Sequence, residues 1–175
     1  KTCVGCTPCS ITTGFAGAGA FSDGKLSLSP DVGGHLPEIL GYEDAKNLIQ
    51  ESDEIYLKFG ADTNIYGIDK QAELQEIRRK AIGANLKLIE CPIRHLGTEE
   101  GYKIYTRLQE HLLSQGIAME FNTMVKDIII QDEQAKGVTT DKGDTFYASE
   151  IVAAVGREGS DWFSHICGNH NIETQ

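Results

Sequence analysis

Three short runs, Val125 to Ile130, Gly137 to Thr140 and Thr145 to Tyr147, are separated by Asp132-Glu133-Gln134 and Asp141-Lys142-Gly143-Asp144, and this pattern most narrows what the chain can become. Both interruptions are rich in turn formers, since Asp side chains bond nearby amides and Gly accepts left-handed backbone. The spacing predicts a three-stranded antiparallel meander. Next comes Ile151-Val152-Ala153-Ala154-Val155-Gly156, a continuous apolar run of the kind buried on both faces of a parallel sheet. The expected fold class is therefore mixed α/β.

Helical periodicity supplies the other elements. Ala45, Leu48, Ile49, Ser52, Ile55, Tyr56 and Phe59 recur on one face from Tyr42 until Gly60, and Leu74, Ile77 and Ala81 mark a second helix from Gln71 to Ala84. Leu86 to Glu90 alternates as a strand, ended by Pro92. Thr98 is an N-cap for a helix running to Gln115, with Glu99 and Glu100 in its first turn. The apolar run Ile117 to Phe121 then completes a strand–helix–strand unit. We expect one domain: residues 1–41 a glycine-rich loop region, 42–85 helical, and 86–160 the strand–helix–strand unit, meander and buried strand. A chain of 175 residues, 40% hydrophobic, is of a size for one core.

Charge excludes some partners. With 16 Lys and Arg against 26 Asp and Glu, the net charge is −10 and no basic cluster exists, which argues against nucleic acid and against an anionic membrane surface. No apolar run approaches the roughly 18 residues of a membrane span, and no signal peptide is visible. Lys1 at the start and the polar stretch at Gln175 suggest a fragment of a longer protein. Five cysteines, an odd number, do not make a secreted disulfide scaffold, so a reducing, cytoplasmic setting is expected.

Four stretches carry candidate chemistry. Cys3, Cys6 and Cys9 form a C-x2-C-x2-C run suited to Zn or an Fe–S cluster, but a four-thiolate site lacks one ligand unless the fold brings up Cys167 with His165 and His170. Free thiols, or half of a site completed elsewhere, are the alternatives. Gly19-Ala20-Phe21-Ser22-Asp23-Gly24-Lys25-Leu26 imitates the phosphate loop of nucleotide hydrolases, with Ile128 to Glu133 as a second element. The imitation fails because Leu26 offers no hydroxyl to Mg²⁺ and the following residues look extended. Gly14 to Ala20 is not a dinucleotide fingerprint either, because Ser22 stands where its third Gly belongs. The small residues beside polar ones nevertheless suit close backbone approach to a large flat or phosphorylated ligand. Finally, Arg94-His95 lies between a strand end and a helix start, where loops place functional side chains.

The stretches Gly14 to Leu26, Pro92-Ile93-Arg94-His95-Leu96-Gly97-Thr98 and Val152 to Ser160 resemble a bacterial family of uncharacterised, predicted FAD-dependent dehydrogenases, and the resemblance spans essentially the whole chain. It implies the middle of an FAD/NAD(P)-binding Rossmann-like domain, with the pyrophosphate-binding turn and helix lying before Lys1. It also implies that Gly14, Ala16, Gly17, Ala18, Gly19, Phe21, Ser22, Lys25 and Leu26 lie along FAD, that Val125 contacts the adenine, and that Ala154, Val155 and Gly156 pass near the cofactor. Lys25, Arg94 and His95 are then the catalytic candidates, with Ser22 and Asp23 as hydrogen-bond partners and an unknown small molecule as substrate. Without the pyrophosphate anchor the chain alone is expected to bind FAD weakly and to be inactive, and its sheet to present an edge able to form a homodimer. A thiol- or metal-binding module is the alternative of a different class.

Overall fold

The computed structural model describes residues 3–174 and separates into two compact units, one of Ala18–Ser114, the other of the chain through Gly17 together with that from Gln115 onwards. Each mixes helix with sheet. Every strand pairing among the described residues is antiparallel.

The Ala18–Ser114 unit contains β1 (Lys25–Ser27), α1 (Leu36–Leu40), α2 (Tyr42–Lys58), α3 (Gln71–Gly83), β2 (Ile93–His95) and α4 (Thr98–Ser114). The apolar period of α2 buries Ala45 and half-buries Ile49 and Tyr56. Its ends suit the helix dipole, with Glu43 and Asp44 in the first turn and Lys58 in the last. In α4, Glu99 and Glu100 open the helix and Ile104 turns inward to 1% exposure. Ile104 joins Leu96 and Ala61 in the core, against which Leu26, Tyr56, Leu57 and Phe59 pack. Strands β1 and β2 pair with Lys25 opposite His95, Leu26 opposite Arg94 and Ser27 opposite Ile93. The pairing continues outward, Leu96 N–H donating to the Gly24 carbonyl (2.8 Å) and Gly97 N–H to that of Asp23 (3.2 Å). Gly24 takes φ +63°, and a Cβ there would lie 2.9 Å from the Leu96 Cβ, so only glycine lets this end of the ladder close.

The other unit holds β3 (Val125–Gln131), β4 (Gln134–Thr140), β5 (Thr145–Tyr147) and α5 (Ser160–Asn169). The three strands form the expected meander, with Ile128 opposite Val138 and Val138 opposite Phe146. Asp132 and Glu133, both at positive φ, make the first turn. The second is tied by Thr140 N–H to the Asp144 carbonyl (2.9 Å) and by Asp144 N–H to Thr140 Oγ1 (3.1 Å). Helix α5 buries Ile166 and Cys167, and Trp162 Nε1 donates to the Lys126 carbonyl at 2.9 Å.

Three expected strands do not form. Leu86–Glu90, Ile117–Phe121 and Ile151–Val155 are irregular, and the last, expected to be doubly buried, leaves Val152 89% exposed. A parallel strand has no partner adjacent in sequence and depends on remote strands on either side, and none pairs with these runs among the described residues. The strand near Pro92 lies just after it, at Ile93–His95, which suits proline's preference for a strand start or edge. The mixed α/β character holds, with two small antiparallel sheets where the Rossmann-like resemblance implied parallel strands. Helices α1 and α5 and the 3₁₀ turn at Gly17–Phe21 were not legible in the sequence. Among the described residues no helix is long and apolar enough to cross a membrane.

Candidate functional site

Strand alternation in the β1–β2 ladder sorts the candidate residues onto two faces. Lys25 and His95, directly opposite each other, share one face, and Asp23 reaches both. Its Oδ1 lies 2.9 Å from His95 Nε2 and its Oδ2 2.9 Å from Lys25 Nζ. The Lys25 ammonium first, and His95 second, hold the Asp23 carboxyl below the usual carboxylate range. As an anion Asp23 can only accept, so Nε2 carries the proton it donates, and in neutral His95 Nδ1 is left as an acceptor. The Tyr66 ring meets the imidazole edge-on, centroids 6.2 Å apart, and Tyr66 is fixed by reciprocal backbone bonds with Ile93 (2.8 and 3.1 Å).

Arg94 and Leu26 share the opposite face. Arg94 is 3% exposed and grips Asp53 of α2 with two bonds, Nε to Oδ1 at 2.5 Å and Nη2 to Oδ2 at 2.7 Å. Its Nη1 donates to the carbonyls of Asp62 (2.6 Å) and Asn64 (3.3 Å). The guanidinium thereby ties β2 to α2 and to the 62–64 loop, and its planar fork suits that bracing geometry.

The loop residues divide by function. Ser22 Oγ donates to the Gly19 carbonyl and accepts from Gly24 N–H, each at 3.1 Å, shaping the approach to β1. A Cβ on Gly19 would lie 3.3 Å from the Tyr105 hydroxyl, so this glycine makes room for a tyrosine of the same unit. Burial first, and then the Tyr56 hydroxyl at 3.5 Å, push the Tyr105 phenol up to about 12. Gly14 and Gly17 belong to the other unit, in a turn closed by Gly17 N–H to the Gly14 carbonyl (3.0 Å), and space for a Cβ is open at Gly14. Ala16 lies within this turn, and Ala18 opens the Ala18–Ser114 unit. Val125 begins β3 opposite Thr140, while Ala154, Val155 and Gly156 lie exposed before α5.

The candidate Zn or Fe–S site at Cys3, Cys6 and Cys9 has no support in the structure. Among the described residues no group of three or more His, Cys, Asp or Glu side chains gathers to hold a metal. Local turns take the cysteines instead: Cys6 Sγ accepts from Ser10 N–H (3.4 Å) and lies 3.3 Å from Ser10 Oγ, while the Cys9 carbonyl accepts from Thr13 Oγ1 (2.7 Å). Hydrogen bonding from Ser10 lowers the Cys6 thiol pKa, and from Thr12 that of Cys9, which favours the thiolate form at exposed Cys6 and half-buried Cys9. Cys167 is buried in α5, and His165 Nε2 lies 3.1 Å from Asn169 Nδ2.

Sequence reasoning found Lys25, His95 and Asp23 but missed Asp53 and Tyr66. Asp53 follows Ser52 of the apolar face of α2, and an acid bordering such a face signals a buried cationic partner. Tyr66 left no periodic signal.

A search of curated proteins finds no match. The family model for pyridine nucleotide-disulphide oxidoreductases matches residues 72–172, which include Arg94 and His95. Since that stretch exceeds half of the 175 residues, the chain belongs to the pyridine nucleotide-disulphide oxidoreductase family, a family that binds FAD or NAD(P).

Proposed function

We propose that the chain supplies flavin-flanking contacts in an FAD-dependent dehydrogenase acting on a small molecule. The observation that carries this reading is the single carboxylate of Asp23 holding Lys25 and His95 on one accessible strand face. When bound, a flavin supplies the hydride-accepting ring. The chain's own groups supply charge and a proton path: Lys25 sets a cation beside the ring, and His95 takes or gives a proton at Nδ1 while Asp23 keeps Nε2 protonated.

The residues fit part of such a cofactor. A turn with an open glycine at Gly14 allows backbone approach in its own unit, and a cavity of about 270 Å³ beside Lys25 in the Ala18–Ser114 unit admits one ring system but not a whole dinucleotide. The Gly14–Leu26 loop, Val125 and the Ala154–Gly156 stretch are the proposed contacts. Arg94 contributes by bracing the strand that carries His95.

The test follows the ¹⁵N resonances of the His95 ring while FAD is added at millimolar concentration. We expect a shift that saturates weakly and shrinks in Lys25→Met; a His95 spectrum indifferent to FAD overturns the proposal. In the flavin-loaded complete protein, Lys25→Met should lower the flavin reduction potential, because a cation nearby favours the reduced, anionic ring.

A further inference from the structure

Cys6-Thr7-Pro8-Cys9 places two thiols in a stretch that the flavin contacts do not use and that lies outside the residues matched by the family model. The chain folds back over this interval. Cys6 Sγ lies 3.4 Å from Ser10 N, the amide nitrogen bonded to the Cys9 carbonyl carbon, so residue 9 is brought onto the Cys6 sulfur. The Cys9 carbonyl is held in turn by the amides of Thr12 and Thr13, each at 3.1 Å, and by the Thr13 hydroxyl at 2.7 Å, which fixes the backbone that carries the second thiol. Exposure divides the pair: Cys6 is open to solvent and Cys9 is half-buried. Protonation divides it as well. Ser10, by its hydroxyl and then its amide, favours the Cys6 thiolate, and the Cys9 thiol is a further donor to it. Hydrogen bonding from Thr12 favours ionisation of Cys9 too, but the charge on Cys6 opposes it, so the pair holds one thiolate beside one thiol before it holds two thiolates.

An accessible thiolate next to a more covered resolving thiol is suited to thiol–disulfide exchange. We infer that Cys6 and Cys9 form a dithiol that reduces small neutral disulfides and is left as a Cys6–Cys9 disulfide. Cys6 Sγ attacks one sulfur of the small disulfide; a bond from Cys6 to that sulfur forms, the original S–S bond breaks, and a thiolate leaves. Cys9 gives its proton to that leaving group and attacks Cys6 Sγ, which expels the second thiolate to take a proton from water. The small disulfide gains two electrons, and the dithiol loses them. An excess of a small thiol runs the same steps backwards. Residues 3–17 carry no charged side chain, so nothing in the loop recruits an ionic substrate, and the chain's net charge of −10 repels an anionic one. The inference goes beyond the flavin reading and does not depend on it.

The test treats the full chain, reduced and free of flavin, with bis(2-hydroxyethyl) disulfide at neutral pH, quenches with acid and an alkylating agent, and maps the peptides by mass. The peptide carrying Cys6 and Cys9 should lose two hydrogen atoms, with two molecules of 2-mercaptoethanol released for each bridge formed. Cys3, exposed like Cys6, is the internal comparison, and Cys6 should react about threefold or more faster. Cys9→Ser should stop at a mixed disulfide on Cys6, and Cys6→Ser should leave Cys9 unbridged, both variants being checked by circular dichroism to be folded. A bridge joining Cys3 to Cys6, a disulfide between two chains, a mixed disulfide that persists on the unaltered chain, or a Cys6 no faster than Cys3 overturns the inference. The His95 response to FAD is read separately, so a failure of the dithiol leaves the flavin proposal standing or falling on its own.

Discussion

Arg94 and His95 are neighbours in sequence, both basic, yet the two faces of the β1–β2 ladder give them opposite duties. Arg94 turns inward to 3% exposure and is bound on all sides, whereas His95 keeps 35% of its side chain in solvent beside an exposed carboxylate. One residue of strand alternation separates a group that fixes the unit from a group free to act. A basic pair in a loop before a helix should therefore be divided by burial before either member is given a reaction.

The largest expected effect is that of Arg94→Ala, which leaves Asp53 charged and unpaired and should destabilise the Ala18–Ser114 unit by about 3–5 kcal/mol in urea denaturation. A loss under about 1 kcal/mol would break the comparison. Gly24→Ala comes next: positive φ and the contact with Leu96 predict a loss of about 1–3 kcal/mol in thermal unfolding. On the exposed face, His95→Gln should change stability by no more than about 0.5 kcal/mol while removing the ring response to FAD. The smallest effect is one of pH. Because the folded Asp23 pKa is depressed, its contribution is present above the unfolded carboxylate range and is lost as pH falls through the folded value. Asp23→Asn should thus flatten a slight acid dependence seen in urea midpoints between pH 6 and pH 3, and an unchanged slope would show that the Lys25–Asp23–His95 contacts do not persist in solution.

What the sequence could reveal followed the distance over which the information travels. The meander was legible because Asp132, Glu133 and Gly143 set its turns within a few residues of the strands they join. The helices α2, α3 and α4 were legible because 3.6-residue periodicity is local. Ile151–Val155 carries the composition of a buried strand, but burial is made by partners far along a chain, and composition cannot report whether they are present. The same limit hid the site's supports. Lys25, His95 and Asp23 stood out as polar groups in loops, while Asp53 lies 41 residues from Arg94, and only the folded ladder reveals that the two belong together.

Trp162 is the chain's single tryptophan, and its indole is tied to the Lys126 carbonyl, joining α5 to β3. Its emission is therefore a reporter of one unit alone. As α5 leaves the meander, the indole loses its hydrogen bond and its fluorescence should respond, while melting within Ala18–Ser114 is read by its five tyrosines, among them Tyr56 and Tyr105, whose rings stand edge to face at 6.1 Å, once Tyr147→Phe has removed the sixth from the tryptophan's unit. Two wavelengths in one unfolding experiment can thus assign each transition to its own half of the molecule, so this protein carries its own two-channel optical label.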